Sequence, residues 1–248
     1  LHNDHASGAG VFAETATIIG HENIRKNLQR PAADAPLLSR EQLWDINHDG
    51  VIQRAEAEGT VNAGGFTELD TNKDDSLGRA EIWARRFGGE QVPPDIYYTS
   101  QASITLGGKT VELHYMGRNH SDDMTVVRFP EERAIYTTDF LTPKRPPRTT
   151  LYGAYFPDFV ESLRRVEQLD FDIISPGHEL PGTKADVSEQ RRYMEELVAA
   201  VSAGIAEGKT KEELVETILM EDYDHLLEYA ESRPGNVIGI YETLISSR

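Results

Sequence analysis

Two histidines and an aspartate lie within the first five residues of this 248-residue chain. His2, Asp4 and His5 offer imidazole nitrogens and a carboxylate, which are suitable ligands for Zn, Fe or Mn. Residues this close in sequence converge on one metal ion from a loop, so a loop is expected here. Alone, such a tetrapeptide is more often a solvated loop than half of a metal site.

Three further ligand-type residues follow predicted strands. His120 lies in Gly-Arg-Asn-His-Ser, Asp139 follows Thr-Thr, and His178 lies in Ser-Pro-Gly-His. Each comes at the C-terminal end of a predicted strand, where loops often carry chemistry. Together with the first tetrapeptide, these segments indicate a metal centre assembled from distant parts of the chain.

The order and spacing of the four segments resemble those of the metallo-β-lactamase superfamily, whose leading motif is His-x-His-x-Asp-His. The resemblance covers residues 1–30 and 97–185. By position, His2 matches the second His of the leading motif, and Asp139 matches the bridging carboxylate. The resemblance implies a dinuclear zinc centre whose ligands are His2, Asp4, His5, His120, Asp139 and His178.

The resemblance also implies an α/β fold of the αββα sandwich type and a zinc-dependent hydrolase. A metal-bridged hydroxide would attack an ester, lactone, thioester or β-lactam bond, with Asp4 as both ligand and orienting residue. The first His of the motif and the first strands of the fold would precede Leu1, so the chain is expected to be a fragment. If the chain is not a fragment, the first metal has only His2, His120 and Asp139 as ligands, and the centre could hold a single zinc ion.

A second kind of metal site is indicated between residues 45 and 81. Both twelve-residue segments there follow the EF-hand calcium loop, with oxygen ligands at positions one, three and five and Glu at position twelve. The second loop has Asp75 where Gly is usual, at a position that needs positive φ. Ile52 and Leu77 are placed to form the short strand pair between the loops. The predicted calcium ligands are Asp45, Asn47, Asp49, Val51, Gln53 and Glu56 in the first loop and Asp70, Asn72, Asp74, Ser76 and Glu81 in the second.

The calcium loops interrupt the hydrolase pattern. Residues 1–36 and 93–248 are expected to form the metallo-β-lactamase-like domain, and residues 37–92 an inserted EF-hand pair with two Ca²⁺ ions. We expect the insertion to be stabilised by calcium rather than to act as a switch.

The elements that position the zinc ligands can be predicted from alternation and turn residues. A hairpin of residues 103–106 and 110–115 leads to His120, a second hairpin of 124–129 and 133–138 leads to Asp139, and a buried strand over 171–175 leads to His178. A short strand is expected at 17–19, before a helix that ends near 28. Further helices are predicted at 157–169, at 187–207 behind an Asp186–Glu189 capping box, at 211–220, and from 236.

The loop after Asp139 is rich in Pro and basic residues beside the proposed metals. Lys144, Arg145 and Arg148 could meet a substrate carboxylate, or they could be solvated loop charges. His21 and His114 stand outside the four motifs and are expected to be structural.

Composition narrows the function further. The net charge of −17 argues against nucleic acid as a partner, since phosphate binding needs a basic surface. The chain has no cysteine, which excludes disulfides and a Cys nucleophile, and no apolar run long enough to span a membrane. We therefore expect a small-molecule substrate and a periplasmic or secreted location, where calcium would fill the EF-hand loops. The competing hypothesis is a calcium-binding module on a hydrolase scaffold with a degenerate metal site.

Overall fold

The computed structural model describes residues 3–38, 41–42, 44–58, 65–87, 91–147, 151, 158–178 and 180–246. The chain divides into two compact units, Leu1–Tyr97 (unit 1) and Tyr98–Arg248 (unit 2). None of the described helices is both long enough and apolar enough to cross a bilayer.

Unit 1 begins with one helical turn, α1 (Asn3–Ala6), and a 3-10 helix over Ser7–Phe12. The prediction of a loop at Asp4 and His5 is therefore wrong. Asp4 lies in the first turn of α1, where a carboxylate is stabilised by the positive end of the helix dipole.

A short strand pair joins the two ends of unit 1. Strand β1 (Ile19–His21) is hydrogen-bonded to β4 (Ile96–Tyr98), and helix α2 (Asn23–Asn27) follows β1. The predicted strand at 17–19 therefore begins two residues later. The Asp95 carboxylate accepts the Ile18 N–H at 2.8 Å, which fixes the approach to β1.

The two acidic loops of unit 1 are joined by strands β2 (Ile52–Gln53) and β3 (Ser76–Leu77), which are antiparallel and pair Ile52 with Leu77. This confirms the predicted strand pair. Helix α3 (Arg54–Ala57) follows the first strand, α4 (Phe66–Leu69) precedes the second loop, and α5 (Arg79–Phe87) follows it. The buried side chains form a small separate core of Leu37, Ile52, Ala57, Phe66, Leu77 and Ile82.

Unit 2 contains a six-stranded sheet in the order β10-β9-β8-β7-β6-β5. All neighbouring strands are antiparallel except β8 and β9, which are parallel. Both predicted hairpins are confirmed, and the first turns at Gly107 and Gly108, whose positive φ values suit a two-residue turn. The strands are β5 (Gln101–Leu106), β6 (Lys109–His114), β7 (Val126–Phe129), β8 (Ala134–Tyr136), β9 (Ile173–Ser175) and β10 (Gly182–Thr183).

Four helices of unit 2 share one hydrophobic core with the sheet. They are α6 (Asp158–Glu167), α7 (Lys184–Ala206), α8 (Lys211–Thr217) and α9 (Tyr229–Ser246). Helix α6 connects the parallel strands β8 and β9, as a parallel pair requires a crossover. Val126, Ile135 and Ile174 contribute the sheet side of the core.

Two predicted helix starts are wrong. Helix α7 begins at Lys184, because the capping box is formed by Thr183 and Asp186 rather than by Asp186 and Glu189. Helix α9 begins seven residues before the predicted position and includes Pro234. Proline inside a helix removes a backbone donor, but Arg233 bonds the carbonyls of Val215 and Ile218 and holds this part of the helix in place.

Candidate metal centre

Asp139 of unit 2 lies between two imidazoles. Its Oδ1 is 3.3 Å from Nε2 of His178, and its Oδ2 is 3.9 Å from Nε2 of His120. The Asp139 side chain is 9% exposed, whereas the two histidine side chains are 43% and 41% exposed. The three residues predicted to follow strands are therefore brought together, with one imidazole at each carboxylate oxygen.

These separations fit shared metal ligands. Two ligands bound to one tetrahedral zinc at about 2.1 Å lie roughly 3.4 Å apart. The 3.3 Å between His178 and Asp139 matches this value, and the 3.9 Å between His120 and Asp139 is somewhat wider. A carboxylate with a different imidazole at each oxygen has the arrangement needed to bridge two cations.

The loop that carries His120 is held by buried polar side chains. Asn119 is fully buried, donates to the Gly117 carbonyl at 3.2 Å and accepts the His120 N–H at 2.8 Å. Ser162 of α6 donates to the carbonyls of Met116 and Arg118. Gly117 has φ +103°, which a side chain rarely adopts, so glycine is required where the chain turns toward His120.

Negatively charged side chains lie around this loop. Asp123 is 4% exposed and accepts a 2.6 Å hydrogen bond from Ser121. Burial raises the pKa of Tyr115, and the charges of Asp122 and Asp123 raise it further. Burial likewise raises the pKa of Tyr98 to about 12. Both phenols therefore stay protonated at neutral pH. The negative charges of Asp122 and Asp123 favour the binding of cations near His120.

The segments that carry Asp139 and His178 are joined by main-chain hydrogen bonds. Strands β8 and β9 pair Tyr136 with Ser175. Beyond that pair, the Thr137 N–H donates to the Ser175 carbonyl at 3.1 Å, and the Gly177 N–H donates to the Thr138 carbonyl at 3.0 Å. Thr138 has φ +50°, an uncommon value for a β-branched residue. The parallel pairing thus continues up to the two ligands.

The N-terminal ligand set belongs to unit 1. Nε2 of His5 lies 3.5 Å from Oδ2 of Asp4, a separation that also suits two ligands of one metal. The Asp4 side chain is 54% exposed and that of His5 is 16% exposed. His2, the remaining predicted zinc ligand, lies outside the described residues.

Three of the other histidines have structural partners. His21 is 2% exposed, and its Nδ1 accepts the Asn23 N–H at the start of α2, which confirms the expectation that it caps or packs against that helix. His114 pairs with Glu112 at 3.1 Å within strand β6. His225 pairs with Glu189 at 3.1 Å on the surface.

Two basic side chains of the loop after Asp139 contact other parts of unit 2. Arg145 is 8% exposed and forms an ion pair with Glu228. Lys144 donates to the Pro181 carbonyl at 2.9 Å. Arg148 lies outside the described residues. A substrate carboxylate that bound Lys144 or Arg145 would therefore have to displace these contacts.

The first acidic loop is an ordered network around one carboxylate. Oδ1 and Oδ2 of Asp45 accept the N–H groups of Asp49 and Gly50 at 3.0 and 2.9 Å. Asn47 and Gln53 both donate through their side chains to Oδ2 of Asp49. Gly50 has φ +92°, as expected for the glycine at position six.

The second loop repeats this pattern. Asp70 accepts the N–H groups of Asp74 and Asp75, both at 3.1 Å, and Asn72 donates to Asp74 at 2.8 Å. A hydrogen bond from the Ser76 hydroxyl lowers the pKa of Asp74. Asp75 has φ +63°, which confirms the positive φ predicted for it.

The glutamate at position twelve closes each loop in the same way. Oε1 of Glu56 accepts the N–H groups of Ile46 and Asn47 at 2.8 and 3.0 Å, and Oε2 accepts that of Gln53 at 2.8 Å. In the second loop, Glu81 accepts the N–H groups of Thr71 and Gly78 at 2.9 and 3.0 Å. Both carboxylates are therefore turned inward, toward the other oxygen ligands.

Sequence reasoning missed the residues that hold the ligand loops. Asn119 could have been found, because a buried amide beside a ligand histidine often fixes a loop through its main chain. Ser162 and Gln190 carry no such signal, since each lies within a helix far from the motifs and acts only through tertiary contacts.

The chain resembles known proteins in sequence. A family model described as the metallo-beta-lactamase superfamily matches residues 1–178. The 2,4-dinitroanisole O-demethylase subunit alpha of Nocardioides sp. (strain JS1661) is 29% identical over 100 residues, which cover 40% of this chain and 30% of that protein.

Two solved structures share the fold. The stereoselective inverting sec-alkylsulfatase Pisa1 from Pseudomonas sp. has a TM-score of 0.54 at 15% identity, covering 64% of this chain and 28% of that chain. A double mutant of the sec-alkyl sulfatase PisA1 has a TM-score of 0.59 at 14% identity, covering 97% of this chain and 38% of that chain. At such identities the likeness concerns the fold alone.

This chain spans less than two fifths of the length of each of these proteins. The family match, however, covers most of the chain and runs through all four motifs that carry ligand-type residues. The mixed α/β fold of unit 2 agrees with it. The chain therefore belongs to the metallo-beta-lactamase superfamily.

Proposed function

We propose that this member of a hydrolase superfamily is a zinc-dependent hydrolase that cleaves an ester, lactone, thioester or β-lactam bond. The observation that carries the proposal is the position of Asp139, whose two oxygens face the imidazoles of His120 and His178. Both ligand sets predicted for the metal centre lie within the family match over residues 1–178. Its proposed ligands are His2, Asp4, His5, His120, Asp139 and His178.

The donor set fits this chemistry. Two divalent cations supply Lewis acidity and lower the pKa of a bound water to near neutrality. His120 and His178 would offer nitrogen donors, and Asp139 would offer carboxylate oxygens. Asp4 would serve as ligand and orient the nucleophile through its carboxylate.

The charge of this set favours an anionic substrate or leaving group. The proposed ligands include only two carboxylates, so two divalent cations would leave the centre net positive within an otherwise acidic chain. The names of the similar proteins, a sec-alkylsulfatase and an O-demethylase, add sulfate esters and aryl ethers to the candidate substrates.

We also propose that residues 37–92 form an EF-hand pair that binds two Ca²⁺ ions and stabilises unit 1. The proposal is supported by the hydrogen-bond pattern that the two acidic loops share and by their strand pair. Such loops are filled at the calcium levels found outside the cytosol, so we propose a periplasmic or secreted protein. The second candidate function is a calcium-binding module on a scaffold whose zinc centre is degenerate.

The test is metal analysis and an activity screen of the wild type and Asp139→Asn. Zinc and calcium contents are measured, and turnover is followed on β-lactams, lactones, thioesters, carboxylic esters and sulfate esters. Asp172→Asn is the matched control, because this exposed carboxylate pairs only with Arg133 among the ion pairs of the described residues.

We expect about two zinc ions per chain in the wild type. Asp139→Asn should lose zinc, and its turnover should fall by about 100-fold or more, because metal stabilisation of transition-state charge is worth several kcal/mol. Asp172→Asn should match the wild type. Unchanged zinc content in Asp139→Asn would refute the bridging role. Calcium binding without zinc or turnover would favour the second candidate.

A further inference from the structure

The carbonyls of the two residues that flank Asp139 accept hydrogen bonds from other segments. On one side, the Thr138 carbonyl accepts the Gly177 N–H at 3.0 Å. On the other side, the Phe140 carbonyl accepts a hydrogen bond of 2.8 Å from Nε2 of Gln190 in α7. The backbone of Asp139 is therefore fixed by one bond from the His178 segment and one from a C-terminal helix.

Gln190 uses both ends of its amide on this loop. Its Oε1 accepts the Thr142 N–H at 2.9 Å and the Thr142 hydroxyl at 3.3 Å. Gln190 is 4% exposed, and Phe140 and Thr142 are equally shielded from solvent. In such a low-dielectric environment these hydrogen bonds are strong, and the loss of one partner is costly.

Gln190 is a polar residue among buried apolar residues of α7. Val187, Met194 and Leu197 on the same helix are all fully buried in the apolar core. A buried amide among such neighbours is unfavourable unless it is hydrogen-bonded. The contacts of Gln190 with Phe140 and Thr142 supply those bonds, so its position on the helix is matched to the loop after Asp139.

The rest of that loop is held in a similar way. The Lys144 carbonyl accepts the Leu227 N–H at 2.9 Å, and the Pro147 carbonyl accepts a 2.9 Å bond from the side chain of Asn236 in α9. Tyr193 of α7 in turn donates to Asn236. Gln190, Leu227 and Asn236 all lie beyond residue 178, where the family match ends.

We propose that Gln190 is a positioning residue for Asp139, and that α7 and α9 act as a brace that fixes loop 140–147 beside the metal centre. This inference rests on the proposed role of Asp139 as a zinc ligand. Gln190 touches neither metal nor substrate. It holds the carbonyl of Phe140, the residue that follows Asp139. The Gly177 N–H holds the carbonyl of Thr138, the residue before Asp139, which has the uncommon positive φ.

The experiment compares Gln190→Met and Gln190→Glu with Val201→Ala in the full chain. Gln190→Met keeps the size of the side chain and removes all its hydrogen bonds to the loop. Gln190→Glu, when ionised, keeps the acceptor for Thr142 and removes only the donor to Phe140. Val201 is fully buried in α7, about 16 Å along the helix from Gln190, so Val201→Ala lowers stability without changing the loop.

Two quantities are measured. Zinc affinity is obtained by competition with a chromophoric chelator, and amide hydrogen exchange of residues 140–142 is followed in metal-free protein. We expect Gln190→Met to bind its weaker zinc ion about 10–100-fold less tightly, the usual effect of removing a residue that orients a metal ligand. Gln190→Glu should give an intermediate loss of zinc affinity, and Gln190→Met should speed exchange of the Thr142 amide, which loses its acceptor. Val201→Ala should keep wild-type zinc affinity and exchange.

Zinc affinity in Gln190→Glu equal to that of Val201→Ala would overturn the proposal, even if Gln190→Met does not fold. Asp139→Asn separates this result from a failure of the proposed function. If Asp139→Asn keeps its zinc, the assignment of Asp139 as a ligand is wrong. If Asp139→Asn loses zinc while the Gln190 variants keep it, only the positioning role of Gln190 is wrong.

Discussion

Replacement of Glu56 by Gln tests both the architecture of the first acidic loop and its proposed calcium ion. The carboxylate accepts three main-chain N–H groups, two on Oε1 and one on Oε2. A glutamine amide nitrogen cannot accept a hydrogen bond, so at least one of these three N–H groups loses its partner. Without calcium we expect a loss of about 1 kcal/mol in the free energy of unfolding of unit 1, the typical net value of one hydrogen bond.

Calcium should enlarge this difference. At a calcium concentration 100 times the Kd, binding to the folded form stabilises the wild type by about 2.7 kcal/mol. If the variant's Kd rises to the working concentration, the variant gains only about 0.4 kcal/mol. The expected loss in calcium is therefore about 3 kcal/mol, roughly three times the loss in chelator.

Tryptophan fluorescence is the appropriate assay, because the chain has two tryptophans and both Trp44 and Trp83 lie in unit 1. Urea denaturation would be followed with calcium and with chelator. Glu81→Gln is the matched variant of the second loop, and exposed Glu14→Gln controls for the loss of one charge in the same unit. A loss for Glu56→Gln that is equal with and without calcium would show that Glu56 only closes the loop and binds no calcium.

Two further predictions concern unit 2. Gly117→Ala should destabilise the protein by about 1–3 kcal/mol in urea denaturation, because φ +103° strains any residue with a side chain and the new Cβ would lie 3.4 Å from the Ser162 hydroxyl. Gly8→Ala is the control, since a Cβ at Gly8 would have no neighbour within 4 Å. Equal losses of stability in the two variants would contradict the argument. The hydrogen bond from Arg128 lowers the pKa of Glu112 in the folded protein. The ionised carboxylate therefore stabilises the fold above its unfolded pKa of about 4.3. This stabilisation disappears as the pH falls through the lower pKa of the folded state. Glu112→Gln should therefore cost about 0.5–1 kcal/mol at pH 7 and little at pH 2; a cost that does not depend on pH would refute the assignment.

Sequence reasoning succeeded where local rules determine the geometry. The pairing of Ile52 with Leu77 and the positive φ of Asp75 follow from the positions within a twelve-residue loop. The two hairpins of unit 2 follow from alternation and from the glycines at 107 and 108. Each of these features depends on neighbours within a few residues, and no tertiary contact had to be known.

Predictions failed where tertiary packing outweighs a local signal. Pro234 indicates a helix break, but the core contacts of Val237 and Ile240 and the bonds of Arg233 keep α9 helical around it. For Lys144 and Arg145 the sequence left both a substrate contact and solvated charges open, and neither alternative included their partners Pro181 and Glu228, which are distant in sequence. Such partners cannot be inferred from composition.

The candidate centre depends on two different ways of positioning a ligand. Asp139 and His178 follow adjacent parallel strands, so their separation is set by the strand spacing of about 4.8 Å and by the main-chain bonds that extend it. His120 instead lies on a loop whose shape is determined by the side chains of Asn119 and Ser162. The strand-based pair has the 3.3 Å separation that fits a shared metal, and the loop-based pair has the wider 3.9 Å. The separation that depends on side-chain support is thus the wider one, which is why replacement of Asn119 should change the position of His120 more than that of His178.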